Sequence, residues 1–259
     1  TYNAGKYLAD SMNSILNQTY KNLELLITDD ASTDPTTLQL LKEYASKDER
    51  VNILYLKENH GAGFARNKSI ERAKGRYIAF CDSDDRWTTD KLEKQIAFMN
   101  KKKCALSCAS YIIFDGETQD EIGFCTAPKK ITYGMMKRDN KVGCLTAIYD
   151  VQMLGRKFFM PTIRKRQDWA LFLQIVRECK VCYAYPDKPL AYYCMRRNSI
   201  SSNKMSLMKY NIAVYKEILG FHPIKANLYF FTLFLPTYGA KILKRKFDSY
   251  TFTHQKEGL

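Results

Sequence analysis

Asp82-Ser83-Asp84-Asp85 places three carboxylates in four positions, directly after the apolar run Tyr77-Ile78-Ala79-Phe80-Cys81. Carboxylates this close repel one another, and the repulsion is relieved by protonation, by basic neighbours or by a hard divalent cation with oxygen ligands. A Mg²⁺ or Mn²⁺ held in this way keeps waters and takes phosphate oxygens as its remaining ligands, so the cluster suits a nucleotide-diphosphate substrate. A solvated acidic turn with an Asp as helix cap accounts for the same residues without any ligand. A calcium-binding helix-loop-helix does not, because counting from Asp82 puts Arg86 and Trp87 where that loop needs an oxygen ligand and a glycine. A second acidic group, Asp29-Asp30-Ala31-Ser32-Thr33-Asp34, also follows an apolar run. Asp168 stands behind Arg164-Lys165-Arg166, and Arg196-Arg197-Asn198-Ser199-Ile200-Ser201 offers guanidinium forks and hydroxyls suited to phosphate oxygens.

The elements that must position these groups follow from periodicity. Gly5 to Thr19 carries a helical stripe of Leu8, Met12, Ile15 and Leu16, and Leu23 to Thr28 reads as a strand ending in acid. Asp34 then Pro35 is a cap followed by proline at the first helical position. Val51 to Leu56 is the next strand, and Gly61-Ala62-Gly63 is a close-approach turn opening a helix that runs to about Lys74. That turn lacks the third glycine of a dinucleotide fingerprint. Strand-helix repeats at this spacing predict an α/β fold with a parallel sheet. Further on, Thr88 or Thr89 caps a helix, Cys104 to Phe114 reads as one long strand with Gly116 to Thr126 as its partner, and Pro128 to Asn140 reads as a loop with a short helix. Leu145 to Asp150 is a strand, Asp168 opens a helix with Leu171, Phe172, Ile175 and Val176 on its apolar face, and Val181 to Tyr185 and Leu190 to Met195 are short strands. A domain boundary is expected near Ser202, dividing residues 1–202 from a C-terminal segment, 203–259.

A chain of 259 residues that is 46% hydrophobic buries an ample core, and a net charge of +14 draws it toward nucleic acid, nucleotide phosphates or anionic lipid. The eight cysteines are scattered through apolar runs, which predicts reduced thiols in a cytoplasmic protein. Cys104 with Cys108 and Cys179 with Cys182 have loosely metal-like spacing but no knuckle turn and no nearby His. No signal peptide and no run long enough to span a bilayer is visible.

Thr1-Tyr2-Asn3, Asn17-Gln18-Thr19-Tyr20, Asp29 to Asp34, and Gly75-Arg76-Tyr77-Ile78 leading into Asp82 to Asp85 together resemble the ordered signature of family 2 glycosyltransferases of bacterial cell-surface polysaccharide synthesis. The resemblance covers the first hundred residues densely and returns at Gln167-Asp168 and at Arg196 to Ser201. It implies the GT-A fold, a Rossmann-like, mostly parallel central sheet flanked by helices, here with a C-terminal helical appendage. It also implies a nucleotide-sugar donor, most simply a UDP-sugar, and inverting transfer to a glycan or lipid-linked glycan. By the same resemblance Tyr2 flanks the base, Asp30 accepts a hydrogen bond from it, Arg66 is a nucleotide-side contact and Asp82 lies by the ribose. Asp84 binds the divalent cation, Mn²⁺ or Mg²⁺, and Asp168 is the general base. Arg196, Arg197 and Ser199 contact the diphosphate.

Plainer readings stand beside these. Arg66 reads equally as a surface arginine, and Asp168 as a helix N-terminal charge paired with Arg164 or Arg166. Gln167 departs from the family's usual Glu. The family also places a hydrophobic strand just before Thr-Tyr-Asn, absent here, so the sequence is expected to be a fragment whose first strand is missing. Two rivals differ in class. A sugar-nucleotide nucleotidyltransferase would open with a Gly-rich, basic phosphate loop, and a basic nucleic-acid-binding module would explain +14 and 18 tyrosines but not the acids at strand ends. No nucleic acid partner is expected. After Ser202 nine Lys and Arg face three acids, and Leu228 to Leu235 is apolar and aromatic, broken by Pro236. That composition suits either an interfacial segment on an anionic membrane or a helix packed on the domain with solvated lysines.

Overall fold

The computed structural model describes residues 1–196 and 204–257. The chain alternates strands and helices through its first hundred residues, as the periodicity predicts: helix Tyr7–Leu16, strand Leu25–Asp29, helix Pro35–Lys47, strand Val51–Tyr55, helix Ala62–Arg72, strand Tyr77–Ala79, the short strand Arg86–Trp87 and helix Lys91–Lys102. Asp34 caps its helix as expected, accepting from Thr37 N–H at 2.7 Å with Pro35 at the first position. The helix Lys91–Lys102, with Asp90 at its N-cap, starts two residues later than Thr88 would set it and one later than Thr89 would. Its Leu92 N–H is capped from another element by Gln18 Oε1 at 2.9 Å, while Gln18 Nε2 donates to the carbonyls of Ser14 and Thr88 at 2.8 and 2.7 Å. Gln18 is fully buried. In this molecule the Asn-Gln-Thr stretch therefore ties the first helix to the segment just after the acidic cluster.

The class is α/β, with the sheets mixed rather than mostly parallel. Among the described residues three strand pairings are parallel and five antiparallel. A five-stranded sheet runs in the order Tyr77–Ala79, Ile148–Asp150, Leu106–Cys108, Val181–Ala184, Lys130–Thr132. The antiparallel Ile148–Asp150 sits in its interior, a placement that local sequence does not encode because its apolar residues read alike in either direction. A four-stranded sheet contains Arg86–Trp87, Ala191–Met195, Tyr111–Asp115 and Glu121–Cys125. Cys104 to Phe114 is thus not one strand. The chain changes sheets at Ala109–Ser110, where the Ser110 carbonyl accepts from Leu190 N–H at 3.1 Å and its hydroxyl from Ala127 N–H at 3.0 Å.

The third sheet is the parallel pair Leu25–Asp29 with Val51–Tyr55. Among the described residues Leu25–Asp29 has that one ladder partner and Tyr77–Ala79 has only Ile148–Asp150, and both strands line one shared cavity. Thr1 lies at the mouth of this gap, donating to the Thr28 carbonyl at 2.8 Å and accepting from Asp30 N–H at 2.9 Å.

The boundary near Ser202 falls outside the described residues. Beyond it, Lys204–Ala213 runs into a π-helical turn, Val214–Ile218, and a second helical run covers Pro223–Tyr229, Phe230–Phe234 and Leu235–Glu257 without interruption. Pro236 does not break it. Proline lacks an N–H and crowds the carbonyl four residues back, and the widened π turn Phe230–Phe234 directly before it relieves that conflict. Val214, Tyr215, Ala226, Phe230 and Phe234 join the same buried cluster as Trp169, Phe172 and Ile175. The C-terminal helices are therefore built into the core.

Candidate active site

The acidic cluster follows strand Tyr77–Ala79 as a tight turn, closed by Asp85 N–H donating to the Asp82 carbonyl at 3.0 Å and held by Ser11 Oγ on the same carbonyl at 3.0 Å. Its three carboxylates have separate partners. Asp82 pairs with Arg66, whose guanidinium is held even more firmly protonated by that charge. Asp84 pairs with Arg196 at 2.5 Å, and burial raises its carboxyl above the usual range despite the arginine. Asp85 is buried and accepts from Cys194 N–H at 2.9 Å, with burial, then Asp82 and Asp84, pushing its carboxyl well up. Through that bond the turn is fixed to the strand that delivers Arg196.

Asp30 is also buried, with Oδ1 accepting from His60 N–H at 2.8 Å and Oδ2 from Gly61 N–H at 2.7 Å. It positions the glycine turn. Gly61 takes φ 89°, a left-handed value that a side chain strains to adopt. A Cβ on Gly63 would come within 2.9 Å of Gln167 Cγ, so the second glycine is what lets the Gln167–Cys179 helix approach. Arg66 sits one turn into the helix Ala62–Arg72, half-buried and facing Asp82 rather than lying on the surface. Asp168 lies in the first turn of its helix, where a carboxylate suits the positive end of the dipole. Its partner is Asn140, whose Nδ2 donates to Oδ2 at 2.9 Å, while Arg166 donates its Nε to Asn211 at 2.8 Å.

Tyr2, Asp30, Arg66, Asp82, Asp84, Asp168 and Arg196 all line one cavity of about 2480 Å³ that continues into the gap between Leu25–Asp29 and Tyr77–Ala79. Arg197 and Ser199 lie outside the described residues. Arg196 pairs with Asp84 through its terminal nitrogen, and among the described residues its buried Nε has no hydrogen-bond acceptor. Among the described residues no three His, Cys, Asp or Glu side chains converge as a metal cage.

The family model described as glycosyl transferase family 2 matches residues 1–159. The chain belongs to that family. It is a glycosyltransferase, and the nucleotidyltransferase and nucleic-acid readings are set aside. The putative teichuronic acid biosynthesis glycosyltransferase TuaG of Bacillus subtilis (strain 168) is 43% identical over 229 residues, 88% of this chain and 89% of the relative. The UDP-Glc:α-D-GlcNAc-diphosphoundecaprenol β-1,3-glucosyltransferase WfgD of Escherichia coli is 36% identical over 209 residues, 81% and 80% of the two chains. The crystal structure of Staphylococcus aureus TarS 1-349 with UDP-GlcNAc superposes with a TM-score of 0.65 at 21% identity, covering 88% of this chain and 68% of that one. The mannosyltransferase PcManGT from Pyrobaculum calidifontis, with GDP-Man and Mn²⁺, does so at 0.61 and 15% identity, covering 100% and 77%. The fold is GT-A.

The candidate site includes groups that the sequence reading did not single out. Asn140 is the main one, and Cys144, its thiol pushed well up by burial, lies close enough to feel the charges of Arg66, Asp82 and Asp168. Loop residues such as Asn140 carry no periodic signal that would separate them from ordinary turn polar residues. Cys104, Cys108, Cys179 and Cys182 do come into mutual electrostatic range, with burial as the main cause of their raised thiols at Cys104 and Cys182. All eight cysteines are free.

Proposed function

We propose that this glycosyltransferase moves a sugar from a UDP-sugar to a hydroxyl of a lipid-linked glycan with inversion at the anomeric carbon. The observation that carries the reading is the meeting of Arg66–Asp82, Arg196–Asp84 and Asp168 on one cavity. Tyr2, half exposed at the rim, offers a face to the uracil ring, and Asp30 has lone pairs beyond those taken by the backbone for the imide N–H. Asp82 stands by the ribose with Arg66 beside it. The acceptor hydroxyl gives its proton to Asp168 as its oxygen bonds to the anomeric carbon, and the bond from that carbon to the β-phosphate oxygen breaks on the opposite face. Arg196 then takes the charge of the leaving UDP, together with Arg197 and Ser199 on the segment that follows it. A divalent cation, Mn²⁺ or Mg²⁺, held by Asp84 would supply further neutralisation of the diphosphate.

The names of TuaG and WfgD support a cell-envelope polysaccharide role, and that of WfgD a diphosphoundecaprenol acceptor. No described helix is long and apolar enough to cross a membrane. We place the enzyme peripherally on the cytoplasmic face of an anionic membrane, a reading supported by the free thiols and by the outward face of the helical run 223–257, where apolar side chains stand beside lysines.

The test is a panel of nucleotide sugars screened for thermal stabilisation with and without Mn²⁺, followed by UDP calorimetry. UDP affinity is expected to collapse on chelation and in Asp84→Asn, and unchanged affinity in both overturns the metal assignment. Asp168→Asn is expected to retain UDP binding while turnover falls at least about a hundredfold, as loss of a general base does. Near-normal turnover would overturn the base assignment.

A further inference from the structure

Asn140 holds Asp168 by one end of its amide, and the other end is committed: Oδ1 accepts from Val142 N–H at 3.1 Å, which turns the NH₂ toward Asp168 Oδ2. Asn140 is held in turn from the far end of the sequence. Lys241, on the helix Leu235–Glu257, donates its Nζ to the Asn140 carbonyl at 2.6 Å and pairs with Asp139 at 3.0 Å. The Asp139 carboxylate is almost wholly buried and also meets Lys141 at 3.2 Å. Stripping a cation from a buried carboxylate is strongly unfavourable, so Lys241 is fastened to this loop. A second grip comes from the helix Lys204–Ala213: buried Asn211 accepts from Arg166, which stands in the left-handed region at φ 69° immediately before Gln167 and Asp168.

We propose that Asn140 is the positioning residue for Asp168 and that Lys241 holds Asn140 in place, so that the helices after Ser202 complete the catalytic corner. The proposal rests on Asp168 as general base. With Oδ2 tied to Asn140, Oδ1 is the oxygen that receives the acceptor's proton, and its reach is fixed by the chain Asp168–Asn140–Lys241. Positioning of this kind governs rate steeply, since a misplacement of about 1 Å costs on the order of a hundredfold. Lys241 touches no reacting atom. Its contribution passes through the backbone of Asn140.

The experiment uses the full chain, with turnover read as UDP released from the sugar nucleotide that the stabilisation panel selects and UDP as the binding probe. Asn140→Ala is expected to lower kcat at least about tenfold while UDP affinity and the donor KM stay within about twofold. Placed in the Asp168→Asn background, the same change is expected to remove less than about twofold further, because its target is already gone. An equal loss in both backgrounds, or no loss in the wild-type background, overturns the proposal. Lys241→Met is expected to speed backbone amide exchange at 139–142 and lower kcat, and Lys241→Arg to restore both. Unchanged exchange in Lys241→Met overturns the clamp even if Asn140→Ala fails to fold. Failure of the base assignment has its own signature: Asp168→Asn alone then keeps near-normal turnover.

Discussion

Asp82, Asp84 and Asp85 share one turn and end in three environments: one against Arg66, one against Arg196, one buried on a backbone N–H. Two of the three routes by which crowded carboxylates settle are thus visible in this chain, basic neighbours and a raised affinity for the proton. Asp85 gives a prediction. Its folded carboxyl holds its proton to higher pH than an unfolded one does, so its contribution is most favourable below the ordinary carboxylate range and is lost as pH rises through the folded value. Asp85→Asn keeps an acceptor for Cys194 N–H and removes the charge. It is expected to match the wild type in denaturant stability near pH 4 and exceed it near pH 7, whereas Asp85→Ala, which leaves that N–H unpaired, should fall about 1–3 kcal/mol below Asp85→Asn at both. A wild type more stable than Asp85→Asn at pH 7 would contradict the burial argument. These partnerships were half legible in sequence. Three acids after an apolar run announce a conflict, but Arg66 and Arg196 lie 16 and 112 positions from the carboxylates they pair with, beyond any local pattern.

Elements were legible where one period runs unbroken and illegible where tertiary pairing overrides it. The helices Pro35–Lys47, Lys91–Lys102 and Gln167–Cys179 follow their apolar stripes and, in the first, the Asp-Pro cap. Cys104 to Phe114 failed as one strand because an apolar run records burial, not which sheet does the burying. Pro236 failed as a helix breaker because the π turn before it has no sequence rule strong enough to read forward. The helix Lys91–Lys102 also begins on an unusual residue. Lys91 is fully buried, its Nζ has no hydrogen-bond partner among the described residues and lies 4.3 Å from the centre of the Trp87 ring, and burial brings its ammonium down to about 7. The unfolded chain keeps that proton to near 10.5, so folding releases it between these values. Stability associated with Lys91 is therefore fully present above about 10.5 and lost as pH falls toward about 7. At about 1.36 kcal/mol per pH unit of separation, the effect amounts to a few kcal/mol. Lys91→Met is expected to unfold at higher denaturant than the wild type at pH 6.5, with the gap narrowing by pH 9.5. A gap of the same size at both values would show that the lysine does not titrate there.

For the whole molecule, the question is which surface the net charge of +14 and the C-terminal run present together. Along 223–257 the inner face buries Ala226, Phe230 and Phe234, while Ile224, Leu228, Phe231, Leu235, Leu243, Phe247 and Tyr250 are exposed. Their spacings of four, three, four, eight, four and three residues are helical, so a packed face and an outward apolar face coexist on one run. Lys225 and Lys246 are exposed beside that outward face, whereas Lys244, paired with Asp248 at 2.7 Å, and Arg245 turn to the cavity. On the peripheral placement proposed above, an anionic leaflet would take the apolar side chains into its interface and draw the cations to its headgroups. At about 1 kcal/mol per near-surface cation, replacing Lys225 and Lys246 with Gln removes about 2 kcal/mol, roughly thirtyfold in vesicle partitioning. The wild type is expected to float with phosphatidylglycerol vesicles at low salt and to be released as salt rises. The Lys225→Gln, Lys246→Gln variant should float weakly at any salt, and a Phe231→Ser, Phe247→Ser double variant should not float at all while binding UDP as the wild type does. A wild type that stays at the bottom of the gradient with anionic vesicles at low salt would leave the outward stripe without a lipid role, since both attractions are then at their strongest.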